Sequence, residues 1–144
     1  RDLFMEEPFN KNHFQELEKL DVAIVGLGLF DAILPTTSDT WYNFAAERDE
    51  LKKSVIGDIC GRFIDENNQV ANVDIQTRTI SIDLNNLKNI PYCIAVACGR
   101  KKKHIARAAI KGGFVNVLMT DEALARHCWK TNTTLLFFEQ EKVN

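Results

Sequence analysis

The apolar residues of this chain fall into short runs that are separated by polar, glycine-containing segments. Three of these runs, 22–25, 92–97 and 115–119, are largely apolar and contain β-branched residues. Such character is typical of strands that are buried on both faces, and therefore of a parallel sheet. Around them, apolar residues recur at helical spacing in 14–20 and 105–110. The alternation predicts an α/β fold with a mostly parallel sheet flanked by helices.

Glycine, polar turns and capping residues predict the remaining elements. The run 55–64 is expected to be one strand interrupted by two glycines, and Gly112 and Gly113 to end the helix that follows Gly99. Five further elements are a loop over 34–39, a helix over 41–51, a short strand over 79–82, a helical turn over 84–87 and a capped helix over 120–129. The segment 135–138 is either a last short strand or a packing segment.

Composition places the chain among ordinary globular proteins with room for one domain. It has 144 residues, 45% of them hydrophobic and 26% charged, and a net charge of −2. This charge disfavours direct nucleic-acid binding, although it leaves a local basic patch possible. Because the chain starts at Arg1 without Met and contains no helix-turn-helix pattern, we expect it to be part of something longer.

The cysteines indicate a reduced, cytoplasmic protein without a metal site. None of the four forms a CxxC pair, and no His lies at ligand spacing from them. Cys60, Cys93 and Cys98 lie in apolar runs, so we expect them to be buried thiols. No apolar run is long enough to span a membrane, and no signal peptide is visible.

Ligands of open parallel sheets bind beyond the carboxyl ends of the strands, which gives four candidate sites. They are the segments 26–28, 57–58, 99–103 and 120–121. In 99–103, Gly99 allows close backbone approach and the following helix offers N–H groups, so phosphate binding and a solvated basic face are both open. Asp58 either accepts sugar hydroxyls or pairs with Arg62.

Redox cofactor binding and catalysis are not predicted. Gly26 and Gly28 form a lone GxG without the third glycine of a dinucleotide fingerprint, so no cofactor is expected. The three histidines cannot be assembled into a triad, and Asp121 is expected to cap a helix rather than act as a catalyst. No catalytic residue is therefore assigned.

Several motifs together resemble the SorC/DeoR-type sugar-binding domain of bacterial transcription regulators. They are, in order, RDLFMEEP, LDVAIVGLG, GDICGRFID, TISIDLNNLKNIP, AVACGRKKKHIARAAIKGG and VNVLMTDEALA. The resemblance covers nearly all of the chain. It implies a Rossmann-like fold similar to sugar-phosphate isomerases of the glucosamine-phosphate deaminase and ribose-phosphate isomerase type, in a domain that senses a phosphorylated sugar without converting it.

The resemblance also assigns roles to individual residues. It implies that Gly57 and Asp58 form a Gly-Asp motif that receives sugar hydroxyls, and that Gly99 and Lys102 hold the phosphate. The other assigned residues are Gly26 and Gly28 in a central glycine loop, the usually basic position Lys111, structural glycines at 112–113 and, beside Asp58, Arg62.

Departures from the family pattern qualify these roles. Cys98 and Ser81 stand where glycine is frequent, and Arg100, Lys101 and Lys103 make the loop more basic than usual. The extra charge fits either a more highly charged ligand or a solvated face.

The resemblance places part of the pocket outside the chain, because the family's helix-turn-helix and a glycine/threonine phosphate loop lie upstream of Arg1. The chain is therefore expected to be the C-terminal portion of an effector domain, to expose sheet surface, to reach operator DNA only through the absent helix-turn-helix and to form a homodimer or homotetramer. The alternatives are a sugar-phosphate isomerase or deaminase, and a dimerisation fragment with no pocket.

Overall fold

The computed structural model describes residues 2–30, 51–128 and 134–137. Its helices are α1 (Asp2–Glu6), α2 (Pro8–Leu17), α3 (Ile75–Arg78), α4 (Leu84–Leu87), α5 (Lys103–Lys111) and α6 (Glu122–Cys128), with a 3-10 turn at Arg100–Lys102 before α5. Its strands are β1 (Val22–Leu29), β2 (Val55–Ile59), β3 (Arg62–Asp65), β4 (Tyr92–Ala97), β5 (Val117–Thr120) and β6 (Thr134–Phe137).

The strands form one mixed sheet in the order β3-β2-β1-β4-β5-β6. The neighbours β1, β4, β5 and β6 run parallel, whereas β2 and β3 form an antiparallel hairpin along the other side of β1. The mostly parallel α/β fold is thus confirmed, as is a final strand within the tail.

The prediction of one interrupted strand over 55–64 is wrong, because the chain reverses there. Cys60 and Gly61 separate β2 from β3 and both have positive φ, 53° and 75°. A two-residue loop with positive φ at both positions is the type I′ turn that matches the twist of a hairpin. The antiparallel hairpin follows from this turn.

Two other sequence-based boundaries also differ from the structure. Residues 79–82 do not form a strand; Ser81 donates its hydroxyl hydrogen to the Cys60 carbonyl, so this segment lies against the hairpin turn. Gly26 and Gly28 do not end β1, which continues to Leu29, because Gly28 pairs with Asp58 of β2. The predicted loop over 34–39 and most of the helix over 41–51 lie outside the described residues.

The larger of the two buried apolar clusters among the described residues lies on the sheet face that α4, α5 and α6 cover. The smaller cluster includes residues of both hairpin strands and consists of Phe30, Leu51, Val55, Phe63 and Ala71. On α5 the buried residues are Ile105 and three alanines, whose small side chains let the helix approach the strands closely. Leu84 and Leu87 of α4 and Leu124 of α6 complete this layer. As predicted, α5 ends at the glycine pair, where Gly113 has a φ of 73°.

The opposite face of β1 and β4 is exposed, contrary to the prediction that the apolar strands are buried on both faces. Val22 and Ile24 of β1, and Tyr92 and Val96 of β4, are exposed large apolar residues that alternate with buried ones. The continuous apolar run in the sequence therefore does not correspond to two covered faces in this chain.

The cysteine prediction is correct for one of the three residues it named. Cys93 is buried, but Cys60 and Cys98 are exposed because one lies in the hairpin turn and the other follows β4. Cys128 is also buried, and none of the four cysteines forms a disulfide bond.

Candidate functional site

The carboxylate of Asp58 occupies the space that a side chain would need at Gly28. The two residues are direct partners across the antiparallel β1–β2 pair. A Cβ atom at Gly28 would lie 1.7 Å from Asp58 Oδ1, so only glycine is compatible with this placement. The pairing fixes Asp58 beside the carboxyl end of β1.

The carboxylate is only half satisfied by the protein. Its Oδ2 atom accepts a hydrogen bond of 3.0 Å from the Gly61 backbone N–H, whereas Oδ1 is buried and has no hydrogen-bond partner. Burial raises the pKa of Asp58, and the Gly61 hydrogen bond and the positive charge of Lys102 lower it in part. A buried acceptor without a donor is costly, so Oδ1 is a position where a ligand hydroxyl would be favourable.

Gly57 lets the hairpin lie against both β1 and α5. A Cβ atom there would lie 2.4 Å from the Gly28 carbonyl oxygen and 2.9 Å from Ile105 Cγ1. Close packing therefore explains the glycine at position 57. The residue at position 58 is explained by its carboxylate, which fills the space at Gly28.

The loop after β4 brings a second set of groups to the same edge of the sheet. Gly99 has φ 90° and ψ 142°, which is accessible essentially to glycine alone, and a Cβ atom there would face open space. Its N–H donates a 3.0 Å hydrogen bond to Asp121 Oδ2, while Asp121 Oδ1 accepts a 2.9 Å bond from the Leu124 N–H at the start of α6. The predicted cap at Asp121 is thus present, and its second hydrogen bond was missed because it joins residues 22 positions apart.

Lys102 is the basic residue of this loop whose charge acts on Asp58. It is half-buried at the end of the 3-10 turn, and that turn contacts β1. The structure therefore brings together four of the predicted residues, namely Gly28, Asp58, Gly99 and Lys102.

Two other predicted residues, Gly26 and Lys111, lie apart from this group. Gly26 pairs with Val96 and lies on the exposed sheet face, where a Cβ atom would meet nothing within 4 Å. Lys111 ends α5, and a helical rise of about 1.5 Å per residue puts it roughly 13 Å from Lys102 along the axis.

Arg62 holds the segment between α3 and α4 against the hairpin. Its guanidinium donates hydrogen bonds to the carbonyl oxygens of Gln76, Ser81 and Ile82, at 2.8, 3.0 and 3.4 Å. These contacts give Arg62, the first residue of β3 after the hairpin turn, a structural role.

Within residues 2–30, 51–128 and 134–137, no group of three or more His, Cys, Asp or Glu side chains could hold a metal ion. In the same part of the chain, no helix is long and apolar enough to cross a membrane.

A model of the family described as "Putative sugar-binding domain" matches residues 1–128. The sorbitol operon regulator of Klebsiella pneumoniae is 33% identical over 122 residues, which cover 78% of this chain and 37% of that protein. The deoxyribonucleoside regulator of Bacillus subtilis is 38% identical over 80 residues, 56% of this chain and 26% of that protein. The chain thus spans well under half the length of these curated relatives.

Solved structures agree with the sequence relatives. The full-length sorbitol operon regulator SorC from Klebsiella pneumoniae superposes with a TM-score of 0.73 at 31% identity, over 88% of this chain and 41% of that one. The sugar-binding domain of a transcriptional repressor from Vibrio fischeri gives 0.79 at 25% identity, over 89% and 51%. The chain therefore belongs to the sugar-binding domain family of SorC- and DeoR-type transcriptional regulators.

Proposed function

We propose that this chain is the effector-sensing part of a bacterial transcription regulator and that its ligand is a phosphorylated sugar. The observation that carries the proposal is the buried Asp58 Oδ1, which has no hydrogen-bond partner and lies beside the charge of Lys102. A carboxylate acceptor next to a cation suits a ligand that has hydroxyl groups at one end and a phosphate at the other.

The hydroxyl end of the ligand would be held by Asp58. A sugar hydroxyl that donates to Oδ1 replaces the missing hydrogen bond, while Oδ2 keeps its bond to the Gly61 N–H. Because a charged acceptor makes a stronger hydrogen bond than a neutral one, this contact also orients the sugar.

The phosphate end would lie at the Gly99 loop. The open space beside Gly99 lets an anion approach the backbone, and Lys102 supplies charge, with Arg100 and Lys101 in the same turn. A helix start adds N–H groups and a partial positive charge. Lys111 has no part in this arrangement because it lies at the other end of α5.

We extend the proposal to the whole protein on the basis of the named relatives. In this proposal, residues 1–144 form the C-terminal portion of a sugar-binding domain, and the whole protein is a cytoplasmic homodimer or homotetramer. Operator DNA is contacted through a helix-turn-helix elsewhere in the full-length protein, and sugar-phosphate binding changes that contact.

We also propose that the site binds without catalysis, on a fold similar to that of sugar-phosphate isomerases. General base catalysis needs a carboxylate with a positioned proton-accepting atom and a group that orients it. Asp58 has such an accepting atom, so an isomerase or deaminase is the alternative to a binding site. A coupled assay decides between them: we expect the purified protein to give no turnover of sugar phosphates.

The binding proposal is tested by thermal unfolding against a panel of phosphorylated sugars, each beside its unphosphorylated parent. A ligand at about a hundred times its Kd stabilises the folded state by roughly 2.7 kcal/mol, which raises the Tm measurably. We expect a shift for one or two phosphorylated compounds and none for their parents. Equal shifts for parent and phosphorylated sugar would contradict the phosphate assignment.

A longer protein that contains the upstream part of the domain is the control for a negative result. If the longer protein responds and this chain does not, the missing half supplies essential contacts. If neither responds to any compound, the sensor proposal is wrong.

A further inference from the structure

The backbone of Gly99 is held from both sides by hydrogen bonds. Its N–H donates to Asp121 Oδ2 at 3.0 Å, and its carbonyl oxygen accepts a 3.1 Å bond from the Lys102 N–H. The first bond joins the loop after β4 to the residue that follows β5, and the second closes the 3-10 turn. The Asp121 carboxylate is thus connected to Lys102 through two successive hydrogen bonds.

The loop depends on such contacts for its shape because it begins with a glycine. Glycine loses more conformational freedom on folding than any other residue, and Gly99 is held at a φ of 90°. The 3-10 turn that follows contacts β1 and α6. Without the contact to Asp121, fewer bonds would fix where this turn, and with it Lys102, lies.

The need for two acceptor oxygens accounts for a carboxylate at position 121. Its Oδ1 accepts a 2.9 Å bond from the Leu124 N–H and caps α6, a role that Ser or Asn fills equally well. A negative charge beside a loop that binds phosphate opposes binding, so the charge itself brings no advantage there. Asn has one carbonyl oxygen and Ser one hydroxyl, whereas a carboxylate accepts at both places at once. The acceptor that faces Gly99 is therefore what distinguishes Asp121 from an ordinary cap.

We infer that Asp121 is a positioning residue of the effector site, which acts through Gly99 to set where the Lys102 ammonium group lies relative to the Asp58 carboxylate. Asp121 does not contact the ligand in this arrangement. The inference deepens the proposed function: its effect on ligand affinity rests on that function, but its effect on Asp58 does not.

The pKa of Asp58 reports the position of Lys102 in the absence of any ligand. Burial raises this pKa, and the hydrogen bond from Gly61 and the charge of Lys102 lower it in part. Because the interaction between two charges weakens with distance, a Lys102 that moves away lowers the pKa less. Loss of the negative charge of Asp121 has the opposite effect by itself, since removing a nearby like charge lowers the pKa of a carboxyl group.

The first test is an NMR titration of the Asp58 carboxyl carbon in the ligand-free 144-residue chain. Asp121→Ser keeps the local cap on Leu124 and loses the contact to Gly99, so we expect the pKa of Asp58 to rise. Lys102→Ala should raise it as well. Asp83→Ser is the matched control: Asp83 caps α4 through a 2.8 Å bond from the Asn85 N–H, and its loss should leave the pKa unchanged.

Calorimetric titration is the second test, with the phosphorylated sugar that gives the largest shift in the thermal panel. We expect Asp121→Ser to raise its Kd by about tenfold, although the change removes a negative charge beside the phosphate. A purely electrostatic role of Asp121 predicts tighter binding instead. Asp83→Ser should bind as the wild type does.

A pKa of Asp58 that is unchanged or lowered in folded Asp121→Ser overturns the inference. So does an unchanged Kd in Asp121→Ser when Lys102→Ala weakens binding, whereas an unchanged Kd in both variants contradicts the phosphate assignment of the proposed function. If the wild type binds none of the compounds, the titration of Asp58 still decides the positioning role. Asp121→Asn, which keeps the side-chain length and one acceptor, replaces Asp121→Ser if circular dichroism shows that the latter is unfolded.

Discussion

Gly28 and Asp58 are cross-strand partners in which one residue has no side chain because the other occupies its place. The carboxylate of Asp58 lies where the Gly28 Cβ would be, with 1.7 Å between that position and Oδ1. Neither residue can be replaced without affecting the other. The pair thus links the stability of the β1–β2 contact to the position of the proposed ligand-binding carboxylate.

Gly28→Ala should destabilise the chain by roughly 1–3 kcal/mol, because the new methyl group displaces the carboxylate or separates the strands. Urea unfolding measures the change. Gly26→Ala is the control: a Cβ there meets nothing within 4 Å, so we expect a neutral effect or a gain of up to about 0.5–1 kcal/mol. The double variant Gly28→Ala/Asp58→Ala should recover most of the lost stability without regaining ligand binding. Equal effects of the two single glycine changes would argue against the steric account.

Asp58→Asn should be more stable than the wild type at neutral pH, with the difference shrinking toward pH 4. Burial raises the pKa of Asp58 above its ordinary value of 3.8, so just above 3.8 the folded state holds this proton more tightly than the unfolded state does. Its contribution to stability is therefore largest at low pH and falls as the pH rises through the folded-state pKa. The amide does not ionise, so Tm values of both proteins between pH 4 and 8 should diverge as the pH rises. A Tm difference that stays constant over this range would show that the pKa of Asp58 is not raised in the folded state.

Lys102→Ala should weaken binding of the phosphorylated ligand by roughly tenfold or more, because it removes the charged phosphate contact. Lys111→Ala removes the same charge from the far end of α5 and should change affinity little. Calorimetric titration of both variants against one ligand from the thermal panel makes the comparison. A larger loss for Lys111→Ala would place the phosphate elsewhere.

Arg62→Met should lower the free energy of unfolding by roughly 2–4 kcal/mol, because carbonyl groups of residues 76, 81 and 82 lose a charged donor. Ligand affinity, measured at a temperature where the variant is fully folded, should stay near that of the wild type. A variant that is as stable as the wild type but has lost ligand binding would instead show that Arg62 contributes to the effector site.

Two of the four thiols should react with a disulfide reagent in the folded protein, and four in denaturant. Cys60 and Cys98 are exposed, whereas Cys93 and Cys128 are buried, and burial raises the pKa of Cys93 to about 11. Desolvation raises the pKa of Cys60, and the charge of Asp58 raises it further, so Asp58→Asn should make the Cys60 thiol react faster. A titration that gives four fast thiols before unfolding would contradict the burial of the other two.

Much of the fold is predictable from local sequence because its signals are local. The apolar runs at β1, β4 and β5 and the glycines after α5 each specify an element or its end. The hairpin was missed because Cys60, a residue that rarely takes positive φ, occupies the turn. The exposed sheet face could not be recognised either, since an apolar run has the same pattern whether or not a second layer covers it.

The sequence shows only part of what positions the candidate site residues, and the reasons are geometric. Asp58 of β2 and the loop after β4, with Gly99 and Lys102, come to the same edge because β2 and β4 lie on either side of β1. The role of Gly28 depends on the register between β1 and β2, which local sequence does not specify. The sequence does not reveal the hydrogen-bond partners of Arg62, because they are 14 to 20 residues away along the chain. For Lys111, the rise per residue of a helix is enough to place it at the opposite end of α5 from Lys102.

The single carboxylate of Asp121 ties the Gly99 loop to the first turn of α6. The loop and the helix are therefore mechanically coupled: a displacement of Gly99 either breaks the hydrogen bond to Oδ2 or carries the start of α6 with it. Under the proposed phosphate assignment of this loop, α6 is therefore the element through which a displacement of the loop on ligand binding would reach the residues packed against the helix.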